Sequence, residues 1–231
     1  MSQNPIIIAL DVETAAEARA LVHQIGDSCR FYKVGLELFS ASGPELVREL
    51  LEGGNRIFLD LKMYDIGETV KRAVRQVGKL GVDFLTVHAV PQVMRAAVEG
   101  ASGTSLKILG VTVLTSFDQA DLEAMGHHST VAELVSLRVG QALACGVQGV
   151  VCSPQEVAEV RRATGPDFQL VTPGVRSAGA AAGDQKRVAT PAAAMRDGAS
   201  FLVIGRQVTR AHDPAGEVRR ILSELSFDSV L

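Results

Sequence analysis

The sequence predicts an α/β fold, a (β/α)8 (TIM) barrel, on three observations. Short apolar runs rich in β-branched residues alternate with segments of helical periodicity, eight of each. The runs are apolar nearly throughout, as strands of a parallel sheet covered on both faces are. Polar residues gather at the C-terminal ends of the runs, the end at which such barrels carry their active sites. An open doubly wound sheet shares the alternation, but a count of eight favours closure. The 231 residues read as a single domain, 1–231, compact beside the roughly 250 residues typical of these barrels.

The predicted strands are Ile6–Leu10, Phe31–Gly35, Arg56–Leu61, Phe84–Ala89, Lys107–Leu114, Gly149–Cys152, Gln169–Thr172 and Phe201–Gly205. Between them, TAAE (Thr14–Glu17), TVAE (Thr130–Glu133) and SPQE (Ser153–Glu156) read as capping boxes, in which the Ser/Thr and Glu side chains satisfy free backbone N–H groups. Pro44, Pro154, Pro191 and Pro214 stand where a first helical residue belongs. Gly53-Gly54 and Gly198 read as stops. Val218, Ile221, Leu222 and Leu225 form one apolar stripe on the last helix.

Hydrophobic residues make up 47% and charged residues 21%, an ordinary globular balance. The net charge of −3 and the lack of a Lys/Arg stripe argue against a nucleic-acid partner. So does the lack of Trp, with only two Tyr, since no stacking platform can form. Three cysteines without a C-x-x-C pair fit free thiols in a reducing compartment. The N-terminal stretch has no basic segment of the signal-peptide kind, and no apolar run reaches membrane-spanning length. The expectation is a cytoplasmic protein with no membrane partner. G-x-S-x-G, Walker A and G-x-G-x-x-G are all missing, which argues against serine hydrolases, P-loop enzymes and dinucleotide binders.

Asp11 ends the first strand and Lys33 lies in the second. Asp60 and Lys62 close the third, with Asp65 just beyond. His88 ends the fourth, Thr115 and Ser116 the fifth, and Ser153 the sixth. The seventh runs into TPGVR with Pro173 and Arg176, the eighth into IGR with Gly205 and Arg206. Strand alternation points Asp60 and Lys62 the same way, toward a mouth shared with Asp11 and Lys33. Buried charges are costly unless paired. Such a cluster can be a salt-bridge plug, but four or five charges converging on one mouth favour a functional site.

Arg176 and Gly205-Arg206 follow the seventh and eighth strands, where barrels often bind phosphate. Each guanidinium offers a planar fork to phosphate oxygens, and the glycine lets a backbone N–H approach. The small residues of SAGAAAG, Ser177–Gly183, suit a mobile lid, and Gln185 beyond them could reach a ligand. His127-His128 read as surface histidines rather than a metal site. His88 could equally be a ligand or a hydrogen-bonded core histidine.

Taken in chain order, IALD, KVGLEL, FLDLKMYDI, VTVLTS, TPGVR, GDQKRV and IGR resemble the orotidine 5′-phosphate decarboxylase family in its short bacterial form, nearly end to end. The D-x-K-x-x-D core is shared with sister enzymes; its combination with the other motifs is far more specific. The chain departs from the family in reading DIGET for DIPNT, IGRQ for IGRP and VHAVPQ for a Gly-rich strand-four end.

The resemblance implies a homodimeric barrel that converts orotidine 5′-monophosphate to UMP with no cofactor and no metal. It implies a catalytic network of Lys33, Asp60, Lys62 and Asp65, with Asp65 and Thr69 donated across the dimer interface. Asp11 and Lys33 would contact the ribose, and Thr115 and Ser116 would sit by the pyrimidine. Arg176, Gln185 and Arg206 would hold the phosphate, with Pro173 and Gly205 completing the substrate-binding set. The rivals are a Mg²⁺-dependent sugar-phosphate decarboxylase or aldolase of the same barrel group, and a catalytically silent barrel that binds UMP.

Overall fold

The computed structural model describes residues 4–177 and 189–227. In chain order the elements are β1 (Ile6–Ala9), α1 (Ala15–Ile25), a 3-10 turn (Gly26–Ser28), β2 (Phe31–Gly35), α2 (Leu36–Glu52), β3 (Arg56–Met63), α3 (Gly67–Gly78), β4 (Phe84–His88), α4 (Pro91–Ala101) and β5 (Lys107–Val111). They continue with α5 (Gln119–Ala124), α6 (Val131–Cys145), β6 (Gly149–Val151), α7 (Val157–Thr164), β7 (Gln169–Thr172), α8 (Pro191–Arg196), β8 (Phe201–Ile204), α9 (Arg206–Thr209) and α10 (Pro214–Phe227). The strands are parallel and close in chain order. Closure is made by Ile6↔Leu202, Ile7↔Val203 and Ile8↔Ile204. The open-sheet alternative therefore falls.

Strand alternation splits the apolar residues into two layers. Ile7, Ala9, Phe31, Phe58, Phe84, Leu109, Val171, Phe201 and Val203 fill the barrel. Ile6, Ile8, Tyr32, Val34, Ile57 and Leu59 point outward and pack under the helices. The first inward residues of β2, β4 and β8 are Phe31, Phe84 and Phe201, whose ring centroids lie 5.4–5.5 Å apart. Arg56 lays its guanidinium 4.1 Å from the Phe31 centroid and pairs with Asp83 at 2.7 Å. The N-terminal end of the barrel is thus plugged by aromatic rings, leaving the C-terminal end to the polar residues.

The caps at Thr14 and Thr130 form as reciprocal capping boxes. The one expected at Ser153 forms only in part. Glu156 accepts from the Ser153 N–H at 2.9 Å, but the Ser153 hydroxyl accepts from Gln155 and α7 starts at Val157. Pro191 and Pro214 open α8 and α10. Pro44 restarts α2 after a break at Gly43, where φ is 62°, a value glycine adopts without steric cost.

Two short helices, α5 and α9, add to the predicted set. Six strand ends also differ from prediction: β1, β4, β6 and β8 each stop one residue earlier, and β3 and β5 differ by more. β5 stops at Val111 rather than Leu114 because β6, its neighbour, ends at Val151 and offers no ladder beyond. Thr112 caps the break, its N–H and hydroxyl both donating to the Val151 carbonyl. β3 continues past Leu61 to Met63 through an irregularity that shapes the site.

Candidate active site

The C-terminal mouth of the barrel opens into a cavity of about 490 Å³. Asp11, Lys33, Asp60, Lys62, Thr115, Ser116, Pro173, Arg176, Gly205 and Arg206 all line it. The fold therefore brings together most of the residues proposed from sequence. Phe58, Val151 and Val203 form an apolar floor, contributed by the inward positions of β3, β6 and β8.

Asp60 is the centre of the charge cluster. Its Oδ2 accepts from Lys62 Nζ at 2.8 Å and lies 3.7 Å from Lys33 Nζ. Its Oδ1 accepts from the Thr86 hydroxyl at 2.9 Å. Lys33 donates in turn to Asp11 Oδ1 at 2.7 Å. The side chains of Lys33 and Asp60 are only 10% and 13% exposed. Burial is the largest single influence on Asp60 and pushes its carboxyl up. The ammonium groups of Lys33 and Lys62, with hydrogen bonds from Lys62 and Thr86, together outweigh it and hold the carboxyl below the usual aspartate value. Asp60 is an anion at neutral pH, with each oxygen already engaged.

Lys62 reaches Asp60 by a route that strand alternation does not describe. Leu59 pairs with Leu85, but the next paired residue is Met63, opposite Val87. The surplus residues bulge, and Lys62 takes φ 45°, the one non-glycine residue with positive φ among those described. That conformation costs an L-residue about 1–2 kcal/mol. It persists because the Lys62 N–H donates to the Thr86 hydroxyl at 3.0 Å. Both charged side chains do line the mouth as expected, but through a bulge rather than a regular strand.

Asp65 and Thr69 do not join this cluster within the chain. Both are exposed, and Asp65 Oδ1 accepts from the Ile66 N–H at 2.6 Å. Beside them Tyr64 and Ile66 are 67% and 74% exposed, unusual for large apolar side chains. Gln185 and most of the expected lid, 178–183, lie outside the described residues. Ser177 is buried and held fast. It accepts from Gln207 at 2.8 Å and Arg220 at 3.1 Å and donates to Glu224 at 2.9 Å.

Two polar residues of the site, one lining the cavity and one buried behind it, escaped the sequence reading. Arg210 lines the cavity with Arg206, four positions on in IGRQVTR, a helical spacing that could have flagged it. Thr86 is wholly buried. It shares inward parity with Phe84, and a polar residue at that parity in an apolar strand was the available signal. His88 is half-buried with its ring centroid 5.6 Å from that of Tyr64. Burial first, then the Arg138 and Lys62 charges, holds its imidazole below the ordinary value. Among the described residues no three His, Cys, Asp or Glu side chains converge as a metal site, and no helix is long and apolar enough to cross a membrane.

Residues 4–221 match the sequence profile of the orotidine 5′-phosphate decarboxylase / HUMPS family. An orotidine 5′-phosphate decarboxylase of Rhodopseudomonas palustris (strain BisB5) is 52% identical over 221 residues, 96% of this chain and 94% of the relative. One of Afipia carboxidovorans is 49% identical over 232 residues, 98% of this chain and 99% of the relative. The crystal structure of the Lactobacillus acidophilus orotidine 5′-phosphate decarboxylase superposes with a TM-score of 0.86 at 36% identity, covering 96% of this chain and 99% of that one.

Proposed function

The chain belongs to the orotidine 5′-phosphate decarboxylase family, and from that membership we propose that it converts orotidine 5′-monophosphate to UMP in pyrimidine biosynthesis. The observation that carries the reading is the Asp60 carboxylate held between Lys33 and Lys62 in a cavity that also holds Arg176 and Arg206. The cavity offers an ammonium for a developing carbanion and guanidinium groups for a phosphate.

Loss of CO₂ breaks the bond between C6 and the carboxylate carbon and leaves its electron pair on C6. No adjacent carbonyl takes that charge directly. Lys62 stabilises it as an ammonium and then delivers its proton to C6, and solvent reprotonates the amine. A unit charge about 4 Å from an ammonium gains on the order of 4 kcal/mol at an effective dielectric of about 20, close to three factors of ten in rate. Asp60 fixes the ammonium in place before the charge develops, so little reorganisation is needed in the transition state.

Asp11 and Lys33 bind the ribose in this reading, Thr115 and Ser116 face the pyrimidine, and Arg176, Gln185 and Arg206 hold the phosphate, with Pro173 and Gly205 at the substrate's edge. Metal and cofactor have no part in it: Asp60 is engaged on both oxygens by Lys62 and Thr86, which leaves it poorly disposed to ligate Mg²⁺. The protein works as a homodimer in the cytoplasm, one (β/α)8 domain per chain. The exposed Tyr64 and Ile66 support a partner surface that carries Asp65 and Thr69 into the neighbouring site.

The test is the absorbance loss of orotidine 5′-monophosphate with wild type and Lys62→Ala in EDTA. Turnover by the wild type, abolished in the variant, is expected. Activity only on sugar phosphates with added Mg²⁺ would place the chain with the sister enzymes, and UMP binding without turnover would make it a silent binder.

A further inference from the structure

We infer that Thr86 is a positioning residue for the reaction, its hydroxyl bridging the Lys62 backbone and the Asp60 carboxylate so that both charged groups are held in reacting geometry. The inference rests on the reading of Lys62 and Asp60 as catalytic.

The direction of each hydrogen bond is dictated by chemistry. A backbone N–H can only donate, so Thr86 Oγ1 accepts from Lys62 at 3.0 Å. Its own proton then goes to Asp60 Oδ1 at 2.9 Å, which as a carboxylate oxygen can only accept. Thr86 is fully buried, so water cannot take over either bond. With Oδ1 pinned from β4, the other oxygen, Oδ2, is turned toward Lys62 and Lys33 at 2.8 and 3.7 Å. The second bond acts on the backbone. The β3–β4 pairing is broken between Leu59 and Met63, and Thr86 stands in the gap between Leu85 and Val87. Its side chain takes the Lys62 N–H where the ladder is interrupted, at the one described non-glycine residue with positive φ. One hydroxyl thus fixes the conformation of the lysine and the orientation of the carboxylate that pairs with it. A buried threonine needed only for packing has no reason to bond both members of the pair.

The experiment compares Thr86→Val, Thr86→Ser, Lys62→Ala and wild type, measuring kcat and KM for orotidine 5′-monophosphate, UMP affinity by calorimetry, and thermal melting. Valine keeps the volume and removes the hydroxyl; serine keeps the hydroxyl. Thr86→Val is expected to lower kcat about 30-fold or more, the equivalent of losing one neutral hydrogen bond, from the Lys62 N–H, and one to a charged group, the Asp60 carboxylate, with KM and UMP affinity within about two-fold. Thr86→Ser is expected to recover most of kcat. If Thr86→Val fails to fold, Thr86→Cys, with only a weak S–H, is read the same way. The inference is overturned if the hydroxyl-deficient variant keeps wild-type kcat while Lys62→Ala is inactive. It is equally overturned if serine does not rescue, or if UMP affinity falls as far as kcat, since either would mean packing. An active Lys62→Ala would instead refute the underlying site assignment.

Discussion

Asp60→Asn removes the negative charge on which the mouth of the barrel is organised. Asp60 Oδ2 stands 2.8 Å from one ammonium and 3.7 Å from another. At an effective dielectric of about 20, those contacts represent gross attractions on the order of 4–6 kcal/mol each. Desolvation cancels much of this, and removing one partner of a buried pair costs about 3–5 kcal/mol. Lys33 retains Asp11 at 2.7 Å, which puts the loss near the lower end, about 3 kcal/mol. For a chain of 231 residues that lowers Tm by about 6–12 °C at pH 7.

The pH dependence carries a second signature. The folded Asp60 carboxyl lies below its ordinary value, so the folded state holds fewer protons than the unfolded chain. The stabilisation is complete above the unfolded carboxylate value of about 3.9 and is lost as pH falls through the lower folded value. The gap in Tm between wild type and Asp60→Asn is therefore constant from about pH 7 to 5 and narrows below about pH 4. Thermal melts across that range read both effects. A variant within about 2 °C of wild type at pH 7, or a gap that widens in acid, would refute the argument.

Further outcomes follow from the same geometry. Arg206→Ala is expected to lower kcat/KM by about 10²-fold, the equivalent of a charged hydrogen-bonded contact, and kcat with it; a change in KM alone would show that phosphate binding does not assist the chemical step. Gln207 accepts from the Ser177 N–H and donates to Glu217 and to the Ser177 hydroxyl, so Gln207→Ala should cost about 1–3 kcal/mol by chemical denaturation. Ile66→Asp places a charge on a 74% exposed apolar side chain; light scattering should show a monomer and the activity should fall with it, whereas an active dimer would place the partner surface elsewhere. Phe31→Ala opens the aromatic plug at the far end of the barrel and should cost about 3–5 kcal/mol with KM unchanged.

Eight strands, most of their limits, two of three capping boxes and the helix starts at Pro44, Pro191 and Pro214, though not the one expected at Pro154, which lies in a turn before α7, were legible from sequence because each depends on residues within a few positions of one another. A capping box spans four residues, and strand parity needs only the neighbours. Parity and chain direction also placed Asp11, Lys33, Asp60, Arg176 and Arg206 at one end of one barrel, since every βα unit points its strand the same way. What lies across the sheet could not be read locally. β5 ends at Val111 because β6, some forty residues on, is short. Thr86 sits 24 and 26 residues from its two partners, and only the β3–β4 register sets it against the bulge at Lys62. The tertiary structure alone decided that Asp65 stays outside the cavity of its own chain while Arg210 enters it. The sequence by itself determined that Asp11, Lys33, Asp60, Arg176 and Arg206 reach the mouth, because local periodicity governs the face a side chain takes. The structure decided how they are held there, because hydrogen-bond partners across a sheet depend on register, and register is a property of two strands together.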